Sequence, residues 1–143
     1  MELNLVAAGI ELAGTTIKNI SVENNIVDIE REAKRSFGLN ISEPNFEEVE
    51  DGFFSQMTID FVVEIEQSDD QKFKMEISLE GAFLSEEGVT EKAFKQLVEV
   101  NGAAAIIGIA RGKIEAITSN IFNNGKIVIP FVNVIEYYKS LAE

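Results

Sequence analysis

A chain of 143 residues without cysteine or histidine has the length of one domain, and it lacks the side chains that make disulfides, thiolate metal sites, cysteine nucleophiles and the commonest general base near neutral pH. It carries 25 acidic against 12 basic residues, a net charge of −13, and so lacks the clustered Lys and Arg with which proteins hold nucleic-acid phosphates. The acid is uneven: residues 1–90 hold 20 acidic and 6 basic side chains and residues 91–143 hold 5 and 6, so the first part reads as a solvated face or as a patch for a basic partner.

The N-terminal MELNLVAAGIELAG has no basic lead and carries Glu2 and Glu11 around its apolar part, so a soluble chain that keeps its start is expected. TTIKNISVE follows as a first strand, and the change of parity between Ile17 and Ile20 predicts a bulge. EAKRSFGLNIS alternates through Ala33, Phe37, Leu39 and Ile41 as a second strand. The acidic PNFEEVED, Pro44 to Asp51, reads as an exposed, mobile connection. In GFFSQMTIDFVVEIEQ the apolar Phe53, Met57, Ile59, Phe61, Val63 and Ile65 alternate with polar residues, and KFKMEISLEGAF repeats this through Phe73, Met75, Ile77 and Leu79. These two runs predict a long antiparallel hairpin turning near Ser68 to Gln71.

The period changes at Thr90, a plausible cap for TEKAFKQLVEV, whose Ala93, Phe94, Leu97 and Val98 have helical spacing. Asn101-Gly102 interrupts, and NGAAAIIGIARGKIEAITSNIFNNG continues as a second or kinked helix that ends around Asn123-Asn124-Gly125. Its uninterrupted apolar run, Ala103 to Ala110, is far shorter than the roughly 20 residues of a membrane span, so a core helix is expected. KIVIPFV is extended, because Pro130 disfavours helix before it, and VNVIEYYKSLAE closes the chain as a short amphipathic helix. Together these elements predict an α+β fold over residues 1–143. It consists of a four-stranded antiparallel meander with a long, broken helix and a short C-terminal helix packed on one face.

On a helix Ala104, Gly108, Gly112 and Ala116 form one smooth stripe, while Ile106, Ile109, Ile114, Ile117 and Ile121 lie elsewhere, so the helix is apolar around much of its circumference. One side can face the sheet. The other is a candidate oligomer interface, unless the terminal helix and N-terminal segment cover it within one chain.

Three segments resemble the SecB family of protein-export chaperones over roughly residues 10 to 140: IKNISVE (Ile17–Glu23), VNGAAAIIGIARGKIEAIT (Val100–Thr118) and IPFVNVIEYY (Ile129–Tyr138). The chain departs from the family pattern at Ile107-Gly108-Ile109, where an aromatic-Pro-aromatic step is usual, and at Asn19, where an acid is usual. The resemblance implies a cytoplasmic, non-enzymatic chaperone without cofactor or metal. It would hold unfolded preproteins, assemble as a dimer or dimer of dimers, and pass clients to the SecA motor. It also implies client contacts at Phe37, Leu39, Phe54, Val62, Phe83 and Leu84, and motor contacts on an acidic face at Glu23, Asp69 and Asp70. Phe54 and Val62 interrupt the polar face of a clean strand and read equally as meeting a neighbouring subunit's sheet or as simply half-exposed; Phe83 and Leu84 read equally as core. A chaperone dedicated to one client such as an antitoxin, a small-molecule site under the sheet, and a purely structural oligomerisation module are the other readings. Neither nucleic-acid binding nor membrane insertion is expected.

Overall fold

The computed structural model describes residues 9–142, and the expectation for the N-terminal start falls on residues 1–8, outside that range. Period-two patterning produces the two central strands, β4 (Gly52–Ser68) and β5 (Gln71–Ser85), joined by a turn at Asp69-Asp70. Met57, Ile59, Phe61, Val63, Ile65, Phe73, Met75, Ile77 and Leu79 are all buried on their inner side. β1 (Ile10–Asn24) pairs with β5, and β2 (Lys34–Ile41) pairs with β4.

The sheet is antiparallel as expected, but its order is β1-β5-β4-β2 instead of a meander. The β1–β2 connection crosses the hairpin tip, giving a Greek-key arrangement. The Asn25 amide donates to the Lys72 carbonyl there, the Asn25 side chain accepts from the Lys72 amide, and Gln67 accepts from the Glu30 amide. Asn123 fastens the same connection to the helix end through the Val27 carbonyl. The expected bulge lies between Ile17 and Asn19, with another between Leu12 and Gly14. By shifting register, they keep Leu12, Ile17, Ile20 and Val22 opposite the inward residues of β5.

PNFEEVED is not a mobile connection. Asn45–Val49 forms a fifth strand, β3, which continues the β2 edge by pairing with the start of β4. Glu47 and Glu48 are exposed, while Phe46 turns inward and meets Phe94 edge-on at 6.0 Å. One inward apolar residue among acids carries no readable period.

The helix is continuous from Glu91 to Ser119, and the expected break is a widened turn: α1 (Glu91–Leu97), a π-helical turn (Val98–Gly102) and α2 (Ala103–Ser119). Thr90 caps it, its hydroxyl accepting from the Ala93 amide at 3.2 Å. The helix seats on β5 through two reciprocal hollows. A Cβ on Gly81 would lie 2.5 Å from Ile106 Cδ1, and a Cβ on Gly102 would lie 2.9 Å from Phe83 Cζ, so each glycine admits the other element's side chain. The helix ends earlier than expected, at Ser119, and Gly125 (φ 111°) lies beyond it, where it receives Ile29. The whole helix is long and apolar enough, by length and composition, to cross a membrane. Its Phe94, Val98, Ile106, Ile107, Ala110 and Ile114 are buried in the protein core. α3 (Val134–Leu141) is capped by Asn133, whose side chain accepts from the Glu136 amide at 3.1 Å.

A helix is about 10–12 Å across with its side chains and strands lie about 4.8 Å apart, so one helix covers about two strands. Here those are β4 and β5, and the inner margins of the sheet are left to other elements. On the β1 margin Leu12, Ile20 and Val22 are 37%, 44% and 39% exposed. On the β2 margin an extended strap, residues 126–132, buries Ile127 and Ile129.

Gly81→Ala is expected to destabilise the fold by about 1–3 kcal/mol through overpacking against Ile106. Ile106→Val in the same chain should recover part of that loss in urea unfolding.

Candidate functional site

The strap and β2 form the two walls of an apolar groove of about 260 Å³, lined by Phe37, Val63, Ile65, Ile127, Ile129 and Pro130 among others. Alternation in β2 points Phe37 and Leu39 inward, and Phe37 packs on Phe61 with ring centroids 6.3 Å apart. Arg35 closes one end, donating to the carbonyls of Ala33, Arg31 and Glu30 at 3.0, 3.3 and 3.3 Å. β2 pairs with β4 alone, so its other backbone edge has no strand beside it among the described residues.

Side chains on one ridge of α2 hold the opposite wall. Glu115 pairs with Lys126, Thr118 Oγ1 accepts from the Ile127 amide at 2.9 Å, and Arg111 Nε donates to the Ile129 carbonyl at 3.0 Å. The Arg111 guanidinium also lies 3.6 Å from the ring centre of Phe131, which is 88% exposed. The groove is apolar, open to water and flanked by backbone that can accept an added strand.

The six residues expected to touch a client do not share one surface. Phe37 and Leu39 lie on the inner side beside the groove. Phe54, Val62 and Leu84 lie on the outer side, where Phe54 stands opposite Leu84. Phe83 is 1% exposed and its ring sits on Gly102, so it is core: it continues the inward parity of Phe73 to Leu79. Sequence reasoning missed Ile127, Ile129, Pro130, Phe131 and Arg111. The alternation of Ile127 and Ile129 in an extended segment was the available signal.

Nor do Glu23, Asp69 and Asp70 form one acidic patch. Glu23 stands opposite Lys74, which is 3.3 Å from Glu76 and 3.8 Å from Glu64. The surrounding trough, about 580 Å³, sets Glu23, Glu64 and Glu66 against Lys34, Lys72 and Lys74. Asp69 and Asp70 lie beyond it at the hairpin turn. Seven exposed acids also lie at the other end of the sheet: Glu11, Glu47, Glu48, Glu50, Asp51, Glu86 and Glu87.

Ala104, Gly108, Gly112 and Ala116 are all exposed, and a Cβ on either glycine would meet nothing within 4 Å. α3 does not cover them. It sits at the end of β2, where the Tyr137 hydroxyl accepts from the Ile41 amide at 2.9 Å. The buried Tyr138 hydroxyl has no hydrogen-bond partner among the described residues, and burial, then Glu99 and Tyr137, push its pKa up to about 12, which keeps it neutral. Among the described residues no group of three or more Asp or Glu is placed to hold a metal.

A Greek-key sheet with a long and a short helix on one face is a SecB-like fold. The chain is similar in structure to the Mycobacterium tuberculosis SecB-like chaperone Rv1957, solved in complex with a ChAD peptide from the Rv1956 HigA1 antitoxin. The TM-score is 0.58 at 10% sequence identity, and the match covers 89% of this chain and 93% of that one. By sequence, no protein family and no curated protein matches.

Phe83→Ala is expected to cost about 3–5 kcal/mol of stability as a core truncation. Val62→Thr, on the outer face, should stay within about 0.5 kcal/mol of the parent; both are read by urea unfolding.

Proposed function

We propose that the chain is a SecB-like holding chaperone of the cytoplasm. It takes an extended, apolar segment of an unfolded polypeptide into the groove between β2 and the strap. The observation that carries this reading is the groove itself: apolar walls open to water, beside a strand edge without a neighbour. A segment laid there would satisfy its backbone along β2 and place alternate side chains against Phe37, Val63 and Ile65, with Leu39 next along the inner side of β2. Holding requires no catalytic group. The acidic end of the sheet would keep such a surface soluble.

A dedicated client is the narrower form of this proposal, favoured because the SecB-like protein of similar structure was solved with an antitoxin peptide. General preprotein holding with transfer to the SecA motor would need a basic partner site. Glu23 is a weak candidate for one because lysines surround it. A second copy of the chain is the proposed cover for the open face made by α2 and the inner side of β1, with Ala104, Gly108, Gly112 and Ala116 at its centre.

Phe37→Asp with Leu39→Asp is expected to abolish suppression of aggregation of a slow-folding protein, while Phe54→Asp with Val62→Asp leaves it largely intact. The reverse result would move the site to the outer face. Capture from the native cytoplasm should return one client for the dedicated form and many preproteins for the general one. Gly108→Leu should lower the mass in solution before it lowers the unfolding midpoint, and a parent chain that is already monomeric would sink the assembly proposal.

A further inference from the structure

Phe131 breaks the pattern of its own segment. In the extended strap Ile127 and Ile129 turn inward and are 7% and 1% exposed, so a residue two further on would follow them. Phe131 is instead 88% exposed, the most exposed of the large apolar side chains among the described residues, and it immediately follows Pro130 at the end of the groove lining. A phenyl ring in water gains nothing from being there by itself. What holds it is Arg111, which grips the strap at two points, bonding the Ile129 carbonyl at 3.0 Å and stacking on the Phe131 ring at 3.6 Å. Glu115 and Thr118, four and seven residues further along α2, fix the start of the strap, so Arg111 alone of this ridge reaches the part beyond Ile129.

We propose that Phe131 is a further client contact, an aromatic rim at the Pro130 end of the groove, and that Arg111 is the residue that positions it. The inference rests on the groove being the client site. An exposed aromatic ring fixed in advance binds without first losing its own freedom, which is where an Arg–aromatic pair contributes most at an interface. The client side chain that meets it would be the one just outside the groove, and apolar in character.

The test uses the full chain and a reduced, carboxymethylated small protein that cannot refold, carrying a fluorophore, with affinity read by anisotropy. Phe131→Ala is expected to weaken binding about tenfold. Arg111→Met should give a similar loss, the double variant no more than either single change, and Arg111→Lys, which keeps a cation under the ring, should recover part of it. Thermal midpoints of all four should stay near that of the parent, and amide exchange in Arg111→Met should rise in residues 130–133 and not in β4 or β5. Unchanged affinity for Phe131→Ala would overturn the role of the ring, and additive losses for the two sites would overturn the positioning role of Arg111. If Phe37→Asp also left binding unchanged, the groove itself would be the wrong site; if only Phe37→Asp weakened it, this inference alone would fall.

Discussion

The structure depends on how one helix is seated on one strand. Ile106 drops into the hollow left by Gly81, and Phe83 reaches up into the hollow left by Gly102, so helix and sheet each supply a side chain and a missing one. That reciprocal fit fixes the helix over β5 and β4. Because a helix is only about two strands wide, it also fixes what remains uncovered. Gly102 lies in the π-helical turn, and the extra residue there lets an otherwise regular helix meet the Phe83 ring without breaking.

The two uncovered margins are completed differently. On the β2 side the chain returns as a strap, filling the margin with Ile127 and Ile129 and leaving a groove. On the β1 side Leu12, Ile20 and Val22 stay partly exposed, and nothing among residues 9–142 covers Gly108 and Gly112 of α2. Exposed acids lie at both ends of the sheet and on its outer face. The uncovered apolar residues lie on the inner side of the sheet and much of the charge on the outer side, which keeps one small domain from presenting a continuous apolar surface.

Much of this was legible in the sequence wherever a period repeats. The central hairpin, its turn, the β1 bulge, the Thr90 cap and the closing helix all follow from local pattern and capping chemistry. Strand order did not, because whether β1 joins β2 or β5 is a long-range choice that local alternation does not encode. Phe83 was ambiguous because Leu84 beside it hides the alternation it completes. In the groove, Phe37 was readable from β2, but the facing wall was not, since an irregular strap held by Arg111, Thr118 and Glu115 has no motif of its own. The small-residue stripe is exposed in the single chain, and its expected use as an oligomer interface stays a proposal.

The pairing of β1 with β5 has a further consequence, in the order of synthesis. Ile17 finds Leu79 across the sheet, so β1, once made, waits for roughly 60 further residues before its partner exists. During that interval a 15-residue segment with Ile17, Ile20 and Val22 has no sheet to join. Its bulges and interspersed polar residues keep it from being a smooth template for other strands. The newborn chain therefore spends its own early life in the condition from which, on the proposed reading, the finished protein shelters others.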